Sequence, residues 1–184
     1  MITEVRIRGL QHADTNVISA AFTDIGWHKP ASQYLLYLAE QATGRRVILV
    51  ATVDGAFAGY VTLAWEPTYV YFRQRGIPEV QDLNVLPVYR RHGIATRLVD
   101  MAERIASACT PVIGIGVGLH PGYNAAQCMY VLRGYVPDGQ GVTYDGRYVA
   151  EGEQVIFDDR LVLYFTKSLR PAGGAARQRD HGFS

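Results

Sequence analysis

The stretch that most narrows what this chain can fold into is VQDLNVLPVYRRHGIATRLVD, residues 80–100. Its aliphatic opening reads as a strand, and Pro87 ends it because proline has no amide to give a sheet ladder. Two arginines and a histidine then run into Gly93. From Ile94 the apolar residues Leu98, Met101, Ala102 and Ile105 fall in helical spacing, with Arg97, Asp100 and Arg104 elsewhere. A strand, a glycine turn and a helix start, in that order, leave the first helical N–H groups unpartnered and partly positive, which makes an anion site. The bare Gly93 and the small Ala95 let an oxygen approach that backbone. Arg90, Arg91 and His92 add charge. Neither the GK[ST] of a triphosphate loop nor the GxGxxG of a dinucleotide turn is present in this stretch.

The remaining segments frame that unit. A first strand is predicted over residues 5–7, and helices over 14–22 and 32–43, the second carrying the stripe Tyr34, Leu35, Leu38 and Ala39. Residues 46–65 read as a hairpin turning at Asp54-Gly55. Residues 66–78 read as a loop. In the strand that follows, simple alternation puts Val80, Asp82 and Asn84 on one face and Gln81, Leu83 and Val85 on the other. Residues 111–119 form a further strand, with Ile113, Ile115, Val117 and Leu119 on one face. Gly114, Gly116 and Gly118 leave its other face bare for a helix or a ligand arm. A short helix over 124–132 stops at Gly134. A polar excursion over 138–159 leads to a last strand over 161–169.

The 184 residues suffice for one core, placed here over 1–170, with a Gly-, Ala- and Arg-rich tail over 171–184 expected to be disordered. Eighteen basic against 17 acidic side chains leave a net charge of +1, which disfavours a nucleic-acid binder. Glu4, Arg6 and Arg8 interrupt the N-terminus where a secretory leader would be apolar, and no uncharged run approaches the ~20 residues of a membrane span. A cytoplasmic protein with no membrane partner is expected. Cys109 and Cys128 make no disulfide framework, and His12, His28, His92, His120 and His181 show no ligand pairing, so no metal is expected.

LNVLPVYRRHGIATRLV resembles the acyl-CoA-binding motif of the GNAT superfamily of N-acetyltransferases, [RQ]xxGx[GA] after a strand, with Arg90, Gly93 and Ala95 in the specified places. AAQCMYVLRGY resembles the family's later helix, with Ala126, Tyr130, Gly134 and Tyr135 in register. The resemblance implies a mixed α/β (α+β) fold: a mainly antiparallel, centrally splayed sheet flanked by about four helices. It implies acetyl-CoA as cosubstrate, held by the strand end Val85, Leu86 and Pro87 and by the loop and helix start Arg90, Arg91, His92, Gly93, Ile94, Ala95 and Thr96. His92 either touches phosphate or is merely solvated. Asn124 lies near the family's pantetheine-contacting position, but in register with Tyr130 that position falls on Tyr123, and Asn124 reads equally as a helix cap.

Moving an acetyl group from a thioester to a primary amine by direct transfer, through a tetrahedral intermediate, needs a proton acceptor, oxyanion donors and a proton for the thiolate. The resemblance implies a main-chain N–H at Val85 or its neighbour for the oxyanion and Tyr130 as the acid, although a tyrosine on a helix face can equally be a core aromatic. The base is left among Asp82, Glu79 and His120. Trp27, His28 and Tyr34, residues 65–72 and residues 141–159 are expected to line the acceptor pocket. Glu66, Glu151 and Glu153 there favour a small cationic amine over a bulky polyanion, with small-molecule and peptide amines both open. A monomer or homodimer is expected. The alternative is a non-catalytic acyl-CoA-binding sensor or regulatory module.

Overall fold

The computed structural model describes residues 4–169, so the tail expected to be disordered lies outside the described residues. In β2 (Arg46–Val53), Ile48 and Val50 point to one side and Leu49, Ala51 and Val53 to the other. A strand that is apolar on both faces must be covered on both. Ile48 and Val50 pack with Ile18 and Phe22 of α1 (Asp14–Thr23) and Tyr34 of α2 (Ala31–Ala42). On the opposite face Leu49 and Ala51 join Ile94, Leu98 and Ala102 of α4 (Ile94–Ser107). Each fully buried valine, leucine or isoleucine side chain among them contributes roughly 1.5–3 kcal/mol.

Among the described residues the strands form one sheet in the order β1 (Val5–Gly9), β2, β3 (Ala56–Ala64), β4 (Glu79–Val85), β5 (Val112–Gly118), β8 (Leu161–Ser168), β6 (Val136–Tyr144) and β7 (Arg147–Tyr148). The outer members on the first side are β1, β2 and β3, all antiparallel. Asp54 and Gly55 turn β2 into β3 with positive φ at both positions, the requirement of a tight two-residue hairpin. On the other side β5 pairs antiparallel with β8, and β8 with β6. The two sides meet where β4 runs parallel to β5. That gives the mixed, mainly antiparallel architecture expected.

Three expectations need correction. Residues 66–78 are not all loop: α3 (Val70–Gln74) swings Phe72 inward, where a Cβ at Gly114 would come within 2.2 Å of its ring. The excursion over 138–159 contains most of β6 and all of β7 (Arg147–Tyr148), turned at Asp145-Gly146 with positive φ at both residues. The bare face of β5 is packed by protein rings. Phe72 covers Gly114, Tyr164 covers Gly116 and Tyr123 covers Gly118, each too close for a side chain. The short α5 (Asn124–Leu132) ends at Gly134, φ +84, as its sequence indicates.

Candidate active site

Only Glu79 with Gly114 and Val80 with Ile115 pair across the β4–β5 junction, and beyond them the strands part. The cause lies in β4. Its register against β3 jumps between Thr62, opposite Gln81, and Tyr60, opposite Asn84, so Asp82 and Leu83 face the single residue Val61. Asp82 takes φ +53 in this bulge. The extra residue resets the alternation: Val80, Leu83 and Val85 all pack toward α4, while Gln81, Asp82 and Asn84 engage the α2 side. The grouping of Val80 with Asp82 and Asn84 expected from simple alternation is therefore wrong.

A cleft of about 960 Å³ opens where the strands separate. It brings together Glu79, Asp82, His120 and Tyr130 with Val85, Arg90, Arg91, Gly93, Ile94, Ala95 and Thr96. Leu86, Pro87, His92 and Asn124 lie outside its lining. Leu86 is buried against the α1 cluster, and its amide donates to Ala58 O at 2.9 Å. His92 turns Nδ1 back to Arg90 O at 2.8 Å. Asn124 opens α5 without a side-chain cap, and Tyr123 lines the cleft in its place.

The loop end of the cleft is rich in unsatisfied amides. Gly93 adopts φ +74, and the first amide of α4 to find a backbone acceptor is Arg97, on Gly93 O at 3.0 Å. The amides of Gly93, Ile94, Ala95 and Thr96 are thus the free ones of a helix start. Arg91, φ +63, precedes them, and Arg90 is held over the Trp27 ring with Nε on Val85 O at 3.2 Å. Leu86 belongs to a hydrogen-bonded pair with Ala58, so by antiparallel alternation the amide of its neighbour Val85 points away from β3, into the gap.

The titratable groups differ sharply. Glu79 is 5% exposed, and burial pushes its carboxyl up to about 7, against the opposing influence of Gln81 and Arg46. Asp82 is partly buried, yet Lys29 and the surrounding donors outweigh that burial and hold its carboxyl below the usual range. It accepts from Lys29 Nζ at 2.6 Å, Gln33 Nε2 at 2.8 Å, Tyr37 Oη at 2.9 Å, Asn84 Nδ2 at 2.8 Å and Tyr60 Oη. A carboxylate so furnished with donors is a poor proton acceptor. At His120, Nδ1 accepts from the Gly122 amide at 3.1 Å, so the proton sits on Nε2, which faces Asp159 Oδ1 at 2.7 Å. Neither ring nitrogen is free. Tyr130 is buried, its phenol pushed above the ordinary range chiefly by burial, and it hydrogen-bonds to no described residue.

Sequence reasoning missed Lys29 and Gln81, which also line the cleft. Of the residues expected at the acceptor pocket, Trp27 and Asp159 line it, whereas Tyr34 and Phe72 are fully buried in the core. Glu153 is taken up by Arg147.

The profile of the acetyltransferase (GNAT) family matches residues 15–135, about two thirds of the chain. The chain belongs to the GNAT acetyltransferase family. No curated protein matches this GNAT chain by sequence. Among solved structures, the GNAT fold here is similar to an N-acetyltransferase from Staphylococcus aureus Mu50, with TM-score 0.67, 18% identity and coverage of 91% of this chain and 100% of that one. It is similar to yncA from Salmonella typhimurium, solved with its cofactor acetyl-CoA, with TM-score 0.66, 19% identity and coverage of 95% and 99%. A ribosomal-protein-alanine N-acetyltransferase from Brucella melitensis gives TM-score 0.65, 19% identity and coverage of 89% and 99%. At these identities the likeness is one of fold. No group of three or more metal-ligating side chains occurs among the described residues, and no described helix is long and apolar enough to cross a membrane.

Proposed function

We propose that this GNAT protein transfers an acetyl group from acetyl-CoA directly to a primary amine. The observation that carries the reading is the cleft between β4 and β5, with free helix-start amides at one end and a buried carboxyl and phenol along its walls. The cleft suits the donor: the amides of Gly93, Ile94, Ala95 and Thr96, with Arg90 and Arg91 beside them, receive the diphosphate, and the Val85 amide faces the arm. Acetyl-CoA supplies a thioester carbonyl and a thiolate leaving group.

The chain's own residues then divide the work. Glu79 accepts the proton that an ammonium must lose before it can act as a nucleophile, and its acidity near neutrality matches that task. The Val85 amide stabilises the oxyanion. Tyr130 keeps its proton at neutral pH, because its phenol is pushed up, and donates it to the departing thiolate. Asp82 anchors the bulge, and His120 ties the loop before α5 to Asp159. Glu79 and Asp159 on the cleft wall favour a small cationic amine as acceptor.

An acetyl-CoA consumption screen over a library of small amines and peptide N-termini tests the proposal. Turnover with a small amine is the expected result. Acetyl-CoA binding without turnover on any amine would instead make the protein a sensor or regulatory module.

A further inference from the structure

The two oxygens of the Glu79 carboxylate are not equivalent. Oε2 accepts from Gln81 Nε2 at 2.9 Å, while no described group donates to Oε1. Gln81 in turn accepts through its own Oε1 from the Arg46 guanidinium at 2.9 Å. Arginine offers five N–H donors and no acceptor. The Gln81 amide can therefore stand only one way round, oxygen toward Arg46 and NH2 toward Glu79. Arg46 has little freedom itself. It donates to Thr62 Oγ1 at 2.8 Å and to Glu40 Oε2, and its guanidinium carbon lies 4.9 Å from the Tyr37 ring centroid. The chain of contacts thus runs from α2 through β2 and β3 to the start of β4.

We propose that Gln81 is a positioning residue for acetyl transfer: clamped by Arg46, it pins one oxygen of Glu79 and leaves the other for the amine. This rests on the reading of Glu79 as the general base and extends it to a side chain that acts only through Glu79. The same contact governs how readily Glu79 ionises, because a hydrogen bond donated to a carboxylate favours its charged form. The other groups facing Glu79 are few. Arg46 of β2 stands across Gln81 with Glu40 of α2 behind it, and the Tyr164 phenol approaches from β8.

Gln81→Met keeps the length of the side chain and removes both hydrogen bonds. The acidic limb of its kcat/KM profile should move up by about half to one pH unit, with a lower plateau above the limb because Glu79 is no longer pinned, and with acetyl-CoA affinity unchanged. Carbon-13 NMR titration of the Glu79 carboxyl should show the same displacement without turnover. Arg46→Lys, which loses the guanidinium fork, should move both in the same direction and serves if Gln81→Met does not fold. A Glu79→Gln control separates the two readings. Persistence of the limb in Glu79→Gln would remove Glu79 as the base. Loss of the limb in that control, with limb and carboxyl titration unmoved in Gln81→Met, would overturn the role given to Gln81. A uniform loss of rate at every pH with an unmoved titration would mark a packing effect and overturn it equally.

Discussion

Below about pH 7 the Glu79 carboxyl holds a proton and can accept no other, so kcat/KM is expected to fall roughly tenfold per pH unit on the acidic side. Burial acts on stability with a definite sign as well. A carboxyl raised in the folded state contributes stability that is complete below its unfolded value, 4.5, and lost as pH rises through about 7. The full shift corresponds to about 3 kcal/mol as an upper bound. Glu79→Gln should therefore lose the acidic limb yet be more stable than the parent at about pH 8 and similar at about pH 4, as read by urea melts. Tyr130→Phe should leave acetyl-CoA binding and stability intact, since its hydroxyl bonds to no described residue, and lower kcat about tenfold or more. The sequence could name Glu79 as one of three candidate bases and Tyr130 through its register with the family motif, and the fold brings all of them to the cleft. Lys29, Gln33, Tyr37 and Tyr60 were not legible there, because they reach Asp82 from 22 to 53 positions away.

The bulge in β4 shows how an element can defeat its own pattern. Alternation assigned Asp82 a face from its parity with Val80, and one extra residue reverses that parity. Nothing in VQDLNVL announces the insertion, because all the donors that hold it except Asn84 lie on α2, on β3 and in the segment between the first two helices. Asp82→Ala should remove that anchor and leave Lys29 without its carboxylate, at a cost of about 3 kcal/mol given the partial exposure of both side chains. Chemical denaturation would measure it, and an unchanged midpoint would show that β4 keeps its bulge unaided. Other elements were legible in detail. Asp54-Gly55 marked its hairpin, and α4 declared its stripe. Asp145-Gly146 carries the same turn signal and was passed over, because the positive-φ glycines Gly139 and Gly141 interrupt the alternation of β6.

On the scale of the molecule, the sheet is two antiparallel halves joined by two residue pairs, and the proposed donor lies across the seam between them. A ligand that touches both halves binds the folded chain alone and stabilises it, by about 2.7 kcal/mol at a hundredfold excess over Kd. For a domain of this size that corresponds to a rise of about 5 to 10 °C in Tm. Scanning calorimetry should show the rise with acetyl-CoA and not with Gly93→Glu, which sets a carboxylate among the loop amides and adds side-chain strain at φ +74. So narrow a joint cannot hold the two halves together through backbone bonds alone. Where the ladder stops α4 serves as the splint, its Ile94, Leu98 and Ala102 packing in one cluster with Leu49 and Val61 of one half and Ile113 and Ile115 of the other.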